Sequence, residues 1–188
     1  YRAANSLILS FFAPSTTVGY FDAGHRLVRA SSSLLEPLVR AFYPRVVSTL
    51  EKYPQNAGKT AGIGSVIILT CAAAGSIILV SMSGFIVTVL FGKGYEPTIR
   101  FVAVMAFIPF FSAVSRTSIM LWLFPLNIDR PAARASVIGA IVNLSMSLSF
   151  VPYFGAISLS IVILVSEALI SIYLMSKAFK SRLTYYNM

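Results

Sequence analysis

Apolar residues run through this chain in blocks too long for the core of a soluble domain, and about half of its charge falls in the breaks between them and in the tail. Six blocks, at about residues 1–14, 18–44, 61–91, 98–125, 133–151 and 155–177, are bounded by Gly, Pro and charge. The breaks hold Pro14-Ser15-Thr16, Pro54-Gln55-Asn56, Gly92-Lys93-Gly94, Asn127-Ile128-Asp129 and Pro152-Tyr153, all turn formers. Nineteen uncharged residues separate Arg2 from Asp22, thirty-three separate Lys59 from Lys93, and thirty-two separate Arg134 from Glu167. A transmembrane helix needs about 20 mainly apolar residues, so the last two runs are ample. The two-residue alternation of membrane barrels is missing from them. The pattern therefore predicts an all-α integral membrane protein, with residues 1–188 as a single transmembrane unit. Tyr1-Arg2 leads straight into an apolar block without the layout of a secretory signal, so the chain is expected to start inside a helix of a longer protein.

Composition agrees. Hydrophobic residues make up 57% of the chain, charged ones 11%, and the mean hydropathy is +0.81; soluble domains carry about 25% charged residues. The net charge of +9 would suggest nucleic acid in a soluble protein. Here Arg45, Lys52, Lys59, Arg130, Arg134, Lys177, Lys180 and Arg182 fall in alternate connections and the tail, against Lys93 and Arg100 on the other side. The positive-inside rule puts those eight, and both chain ends, in the cytoplasm. No nucleic-acid partner is expected, because the charge forms no single patch. The single Cys71 reads as a small apolar core residue. One His and one Cys exclude the usual metal clusters, so no metal is expected. No Gly-rich phosphate loop is present, no cofactor is implied, and a hydrolase is not expected.

One block breaks the apolar pattern. Positions 22, 26, 29, 33, 36 and 40 step by 4, 3, 4, 3 and 4, and five of the six are charged: Asp22, Arg26, Arg29, Glu36 and Arg40. At 100° per residue they stay within a wedge of about 80° on a helix whose other faces carry Leu27, Val28, Leu34, Leu38, Val39 and Phe42. Facing lipid, five such residues would cost over about 10 kcal/mol on the insertion scale. The stripe is therefore expected to face a watery cavity or polar groups of other helices. Asp22–Arg26 and Glu36–Arg40 have the favourable i,i+4 order and could pair internally. Arg29 has no acid one turn away in either direction and is the first candidate for an anion contact. An interfacial anchor helix is the weaker alternative, because the charge topology needs a span here.

Arg116 and Glu167 interrupt two other blocks and could pair with each other. Ser112, Ser136, Asn143, Ser147, Ser160 and Ser171 read as packing contacts between helices. Pro37 and Pro44 fall in the charged block and Pro109 in a later one, and a proline removes a backbone hydrogen bond and crowds the preceding turn. A kink is expected at Pro37, between the two halves of the stripe.

The stretch Val18-Gly19-Tyr20-Phe21-Asp22-Ala23-Gly24-His25-Arg26-Leu27-Val28, followed by Phe42-Tyr43-Pro44-Arg45, resembles the start of the second half of Wzx-type O-antigen flippases. Leu90-Phe91-Gly92-Lys93-Gly94-Tyr95 and Val151-Pro152-Tyr153-Phe154-Gly155-Ala156-Ile157 continue the resemblance in the right order. Departures occur at Ser115-Arg116-Thr117, where a more neutral segment is expected, and at Asn127-Ile128, which replaces a Gly-containing turn. These flippases form a polysaccharide transporter family within the multidrug and oligosaccharidyl-lipid exporter superfamily. The resemblance implies a MATE-like protein of about twelve helices, of which this chain would be the C-terminal six-helix lobe with its first helix truncated. It implies a transporter rather than an enzyme, moving undecaprenyl-pyrophosphate-linked O-antigen repeat units to the periplasmic leaflet of a bacterial inner membrane during lipopolysaccharide biosynthesis. Partners would be the lipid-linked oligosaccharide, membrane lipid, the N-terminal lobe and the polysaccharide polymerase machinery. On that reading Arg29, Arg26, Arg40 and Arg116 line a central cavity and bind the pyrophosphate, with Asp22, Glu36 and Glu167 as cavity acids. The alternative is an ion-coupled drug or metabolite exporter of the same architecture, with those acids as coupling groups.

Overall fold

A computed structural model describes residues 2–186, with side chains described from Asn5 to Ser181. Tyr1 and the Arg182 side chain lie outside it. The described residues are all helix and connection, without strands. The helices are α1 (Arg2–Phe12), α2 (Ser15–Ser33), α3 (Glu36–Lys52), α4 (Pro54–Ser81), α5 (Ser83–Phe91), α6 (Glu96–Met105), α7 (Ile108–Thr117) and α8 (Arg130–Tyr186). Between α7 and α8 come a π-helical stretch, Ser118–Leu123, and a short 3₁₀ turn, Phe124–Leu126. Pro54–Ser81, Glu96–Leu126 and Arg130–Ser181 are long and apolar enough to cross a bilayer.

Proline decides where the apolar blocks break. The 18–44 block is not one helix: it divides at Leu34–Leu35, two residues before Pro37, which takes the second position of α3. Pro37 can donate no hydrogen bond to the Ser33 carbonyl, and its ring crowds that carbonyl. It suits a helix start, where no donor is missed. Leu34 and Leu35 keep right-handed helical angles, and the amides of Leu34 and Val39 still reach Ala30 and Leu35 at 3.3 Å, so the chain kinks without turning away. Pro109 acts in the same way between α6 and α7, where Ala106 and Phe107 form the break. Pro44, by contrast, lies inside α3.

The span Arg130–Ser181 has 52 residues, so a straight helix would measure about 78 Å, far beyond the roughly 30 Å hydrocarbon core. It folds back at Gly155, whose φ of 62° and ψ of −148° are open to glycine and strained for other residues. The hairpin can be read from one contact. Gly139 and Ile170 lie on opposite sides of Gly155, and a Cβ on Gly139 would come within 2.2 Å of Ile170 Cδ1. Asn127, where a glycine turn was expected, takes the left-handed conformation (φ 57°, ψ 34°) that asparagine visits most readily after glycine.

Apolar packing divides into two main clusters. One holds Leu9, Phe21, Val28, Val87, Phe101, Met105 and Leu159; the other holds Val39, Val46, Ile68, Ala113, Leu121 and Trp122. α7 packs against α2, α4 and α8 and connects them. The outward side is apolar as well: Ile63, Val66, Ile77 and Ile78 of α4 are exposed, as are Val137, Ile141, Leu148 and Ile172 of α8. A surface of that kind fits a lipid environment. Cys71 belongs to it and not to the core as its apolar setting suggested: α4 is apolar all round, and only 28% of its most apolar window is buried.

Close approach of α3 and α4 depends on Gly64, where a Cβ would lie 2.9 Å from Phe42 Cδ1 and 3.2 Å from Leu121 Cδ1. The Phe42 ring is half-buried and packed against the second cluster, which leaves it little room to yield, so Gly64→Ala should cost about 1–3 kcal/mol. The thermal midpoint in detergent should fall by roughly 3–10 °C. Gly62→Ala, which meets nothing within 4 Å, should leave it unchanged or slightly raised. Equal midpoints for the two variants would refute the packing argument.

Candidate functional site

Where α2, α3, α7 and both arms of α8 converge, polar side chains enclose a cavity of about 150 Å³. Arg29 and His25 reach it from α2, Glu36 from the first position of α3, and Ser112 and Arg116 from α7. Asn143, Ser166 and Glu167 line it from α8, and Asn5 from α1. Asn143 and Glu167 each lie 12 residues from Gly155, or about 18 Å along their arms. For a membrane core about 30 Å thick, that is near the middle. The cavity thus lies at mid-depth, between the two apolar clusters, next to both proline breaks.

Glu36 is its most connected charge. Arg116 Nη1 donates to Glu36 Oε1, tying α7 to α3, and Arg40 Nη2 lies 3.5 Å from Glu36 Oε2. The expected Glu36–Arg40 pair is present, then, but it is the lesser part of a three-charge cluster. Arg116 is paired with Glu36, 80 positions away in the chain, and not with Glu167 as was considered. Glu167 is buried in the same cavity. Arg29 borders the cavity, and among the described residues no acid pairs with it.

The stripe is not a uniform lining. Asp22 does not pair with Arg26: among the described residues its carboxylate accepts a 2.5 Å hydrogen bond from Ser6 Oγ of α1. Neither Asp22 nor Arg26 borders the cavity, and Arg26 is exposed. Arg40 borders a second, more open hollow of about 310 Å³, which it shares with Glu36, Val39, Arg116, Ile119 and Met120. The four candidate arginines are therefore divided: Arg29 and Arg116 line the mid-depth cavity, Arg40 the adjoining hollow, and Arg26 neither.

Three of the lining polar atoms, Asn5 Oδ1, Asn143 Oδ1 and Ser166 Oγ, are buried and have no hydrogen-bond partner among the described residues. Asn143 had been read as a packing contact, and Asn5 and Ser166 had not been singled out. The available signal was a single asparagine or serine in a largely apolar stretch, beside Ser6 for Asn5 and beside Glu167 for Ser166, and it is weak. Ser160 and Ser171 behave as packing residues, each hydroxyl donating to a carbonyl of its own helix. His25 stacks on Phe21 with ring centres 5.7 Å apart and borders the cavity. Among the described residues no group of three or more His, Cys, Asp or Glu is placed to hold a metal ion.

An arginine open to a mid-membrane cavity, beside a second one held by a carboxylate, suits an anion carried across a bilayer. A protein of Shigella dysenteriae named "Putative O-antigen transporter" is 32% identical over 176 residues, covering 93% of this chain. The chain is a relative of this protein. A second protein with the same name, from Escherichia coli (strain K12), is 26% identical over 178 residues and covers 91% of the chain. The chain spans 43% and 41% of the lengths of these two relatives. No family model and no solved structure matches it. Helices that can cross a membrane, together with relatives named as transporters, make this a multi-pass membrane protein.

Proposed function

We propose that the chain is the C-terminal lobe of a MATE-like flippase of about twelve helices, which moves undecaprenyl-pyrophosphate-linked O-antigen units from the cytoplasmic to the periplasmic leaflet of a bacterial inner membrane. The observation that carries this reading is Arg29, a guanidinium without an acid partner among the described residues, at the edge of a polar cavity at mid-depth. A pyrophosphate brings several negative charges and acceptor oxygens, which match the planar fork of arginine. A cavity of about 150 Å³ holds several waters but no oligosaccharide head group, so the substrate path would be completed by the N-terminal lobe. The broken spans α2–α3 and α6–α7 would let one lobe rock against the other while the lipid tail stays in the bilayer. On this reading the C-terminus is cytoplasmic, and the polysaccharide polymerase machinery consumes the product.

The test is Arg29→Ala in the intact gene product, alone and with Arg40→Ala, with surface O-antigen measured at matched protein levels. Arg29→Ala should reduce display by about tenfold or more, corresponding to the loss of one charge-assisted contact of roughly 1.5–3 kcal/mol. Unchanged display in the double variant would defeat the proposal. A second reading, ion-coupled export, is favoured by the buried Glu167 in one cavity with Asn5 Oδ1, Asn143 Oδ1 and Ser166 Oγ, which have no hydrogen-bond partner among the described residues. If that reading held, the primary effect of Glu167→Gln would be loss of drug resistance, with surface glycan intact.

A further inference from the structure

The Glu36 carboxylate lies in the wall between the two hollows. Glu36 and Arg116 line both the mid-depth cavity and the more open one. One carboxylate serves two guanidinium groups, from Arg40 on its own helix and Arg116 on α7, so the cluster keeps one positive charge in excess. Each carboxylate oxygen faces a different arginine, as two oxygens of a phosphate would. Beside the charges, Val39, Ile119 and Met120 give the open hollow an apolar wall. That pairing of two guanidinium groups with an apolar surface suits the point where a phosphate joins a hydrocarbon chain.

We infer that Glu36 is a tethered stand-in for a lipid phosphate, holding the anion position between Arg40 and Arg116 and keeping the two hollows apart until a phosphate displaces it. The inference rests on the substrate reading above and deepens it by naming a gate. Three features make displacement feasible. Glu36 is the first residue of α3, directly after the Leu34–Leu35 kink, so a small change at the break swings its side chain. Its side chain is 36% exposed and that of Arg116 30%, so water can replace each partner as the pair opens. A phosphate also carries more negative charge than a carboxylate, which favours the exchange at a cluster with excess positive charge. With Glu36 turned aside, the two hollows join into one space lined by Arg29, Arg40 and Arg116.

Removing a tethered competitor should tighten binding of the free anion. Calorimetry on the whole protein in lipid nanodiscs, with inorganic pyrophosphate and farnesyl diphosphate as probes, measures this directly. Glu36→Gln should bind farnesyl diphosphate about 5- to 10-fold more tightly than the wild type, within the usual range of coupling between sites. Adding Arg116→Gln should cancel the gain. A larger gain for farnesyl diphosphate than for pyrophosphate identifies a lipid head group as the displacing anion; equal gains identify free phosphate. If Glu36→Gln does not fold, Glu36→Asp replaces it, and its shorter reach should give a smaller gain of about 2- to 3-fold. Unchanged or weaker binding in a folded variant overturns the inference. If Arg29→Ala weakens binding while Glu36→Gln does not tighten it, the gate fails and the substrate reading survives. If neither probe binds the wild type or Glu36→Gln, both fail.

Discussion

Gly155→Val should leave most of the protein unable to close the hairpin of residues 130–186, and should have the largest effect of any single substitution considered. The cause is the backbone alone, because a Cβ at Gly155 would meet nothing within 4 Å. At φ 62° and ψ −148° a side chain carries about 1–3 kcal/mol of strain, and β-branching adds to it. The alternative to strain is a straighter helix, which would pull Gly139 away from Ile170 and separate Asn143 from Glu167 across the cavity. The measurement is the yield of monodisperse protein, together with its thermal midpoint. Gly155→Ala should lower the midpoint by roughly 2–12 °C, and Gly155→Val by more. Gly75→Ala is the control, because Gly75 has ordinary helical angles and open space around it. A Gly155→Val protein as stable as this control would show that the turn needs no glycine.

Arg116→Ala should have the second-largest effect, because it acts on two levels. The Arg116–Glu36 bond joins α3 to α7, and its loss should lower the thermal midpoint, modestly because both side chains are about one-third exposed. Glu36 would keep only Arg40, whose side chain is 77% exposed. Under the proposed function the cavity would also lose a guanidinium, and surface glycan should fall at least about tenfold at matched protein levels. Arg116→Lys separates the two levels. It keeps the charge and most of the stability, but a lysine cannot reproduce the bidentate fork, so display should recover only in part. Full display in Arg116→Ala would remove this residue from the substrate path and leave it as a tie between helices.

Much of the helical framework was legible because it depends on short-range chemistry. Gly92 and Gly94 both take positive φ in the connection where their sequence predicts a turn, and Asn127 shows why asparagine can replace glycine in the next. Pro37 announced its kink, and the break falls where its missing donor and its ring require. The site was legible only in part. Spacing encodes the angle around one helix, so it grouped Arg26 with Arg29, yet it says nothing of depth or of which neighbour lies opposite. Arg26 is exposed outside the cavity for that reason, and Asp22 turns to Ser6 on another helix. The Arg116–Glu36 pair joins positions 80 apart, a relation no local period expresses. Asn5 and Ser166 each stand beside another polar residue, Ser6 and Glu167, in an otherwise apolar stretch, and only the packing of α1 against α8 gives them significance.

The separation of the apolar packing into two clusters has a mechanical consequence. Tightly packed interiors resist deformation, whereas a polar layer with exchangeable hydrogen-bond partners yields at low cost. Here the stiff parts hold Phe21, Val28 and Phe101 on one side and Val46, Ile68 and Trp122 on the other, and the compliant layer runs between them at the two proline breaks. Under the proposed function such a body would bend at its waist like two rigid plates on a common axle. The ionic cluster around Glu36 lies on that axle, where a small rotation changes the distances between charges while both plates keep their internal contacts.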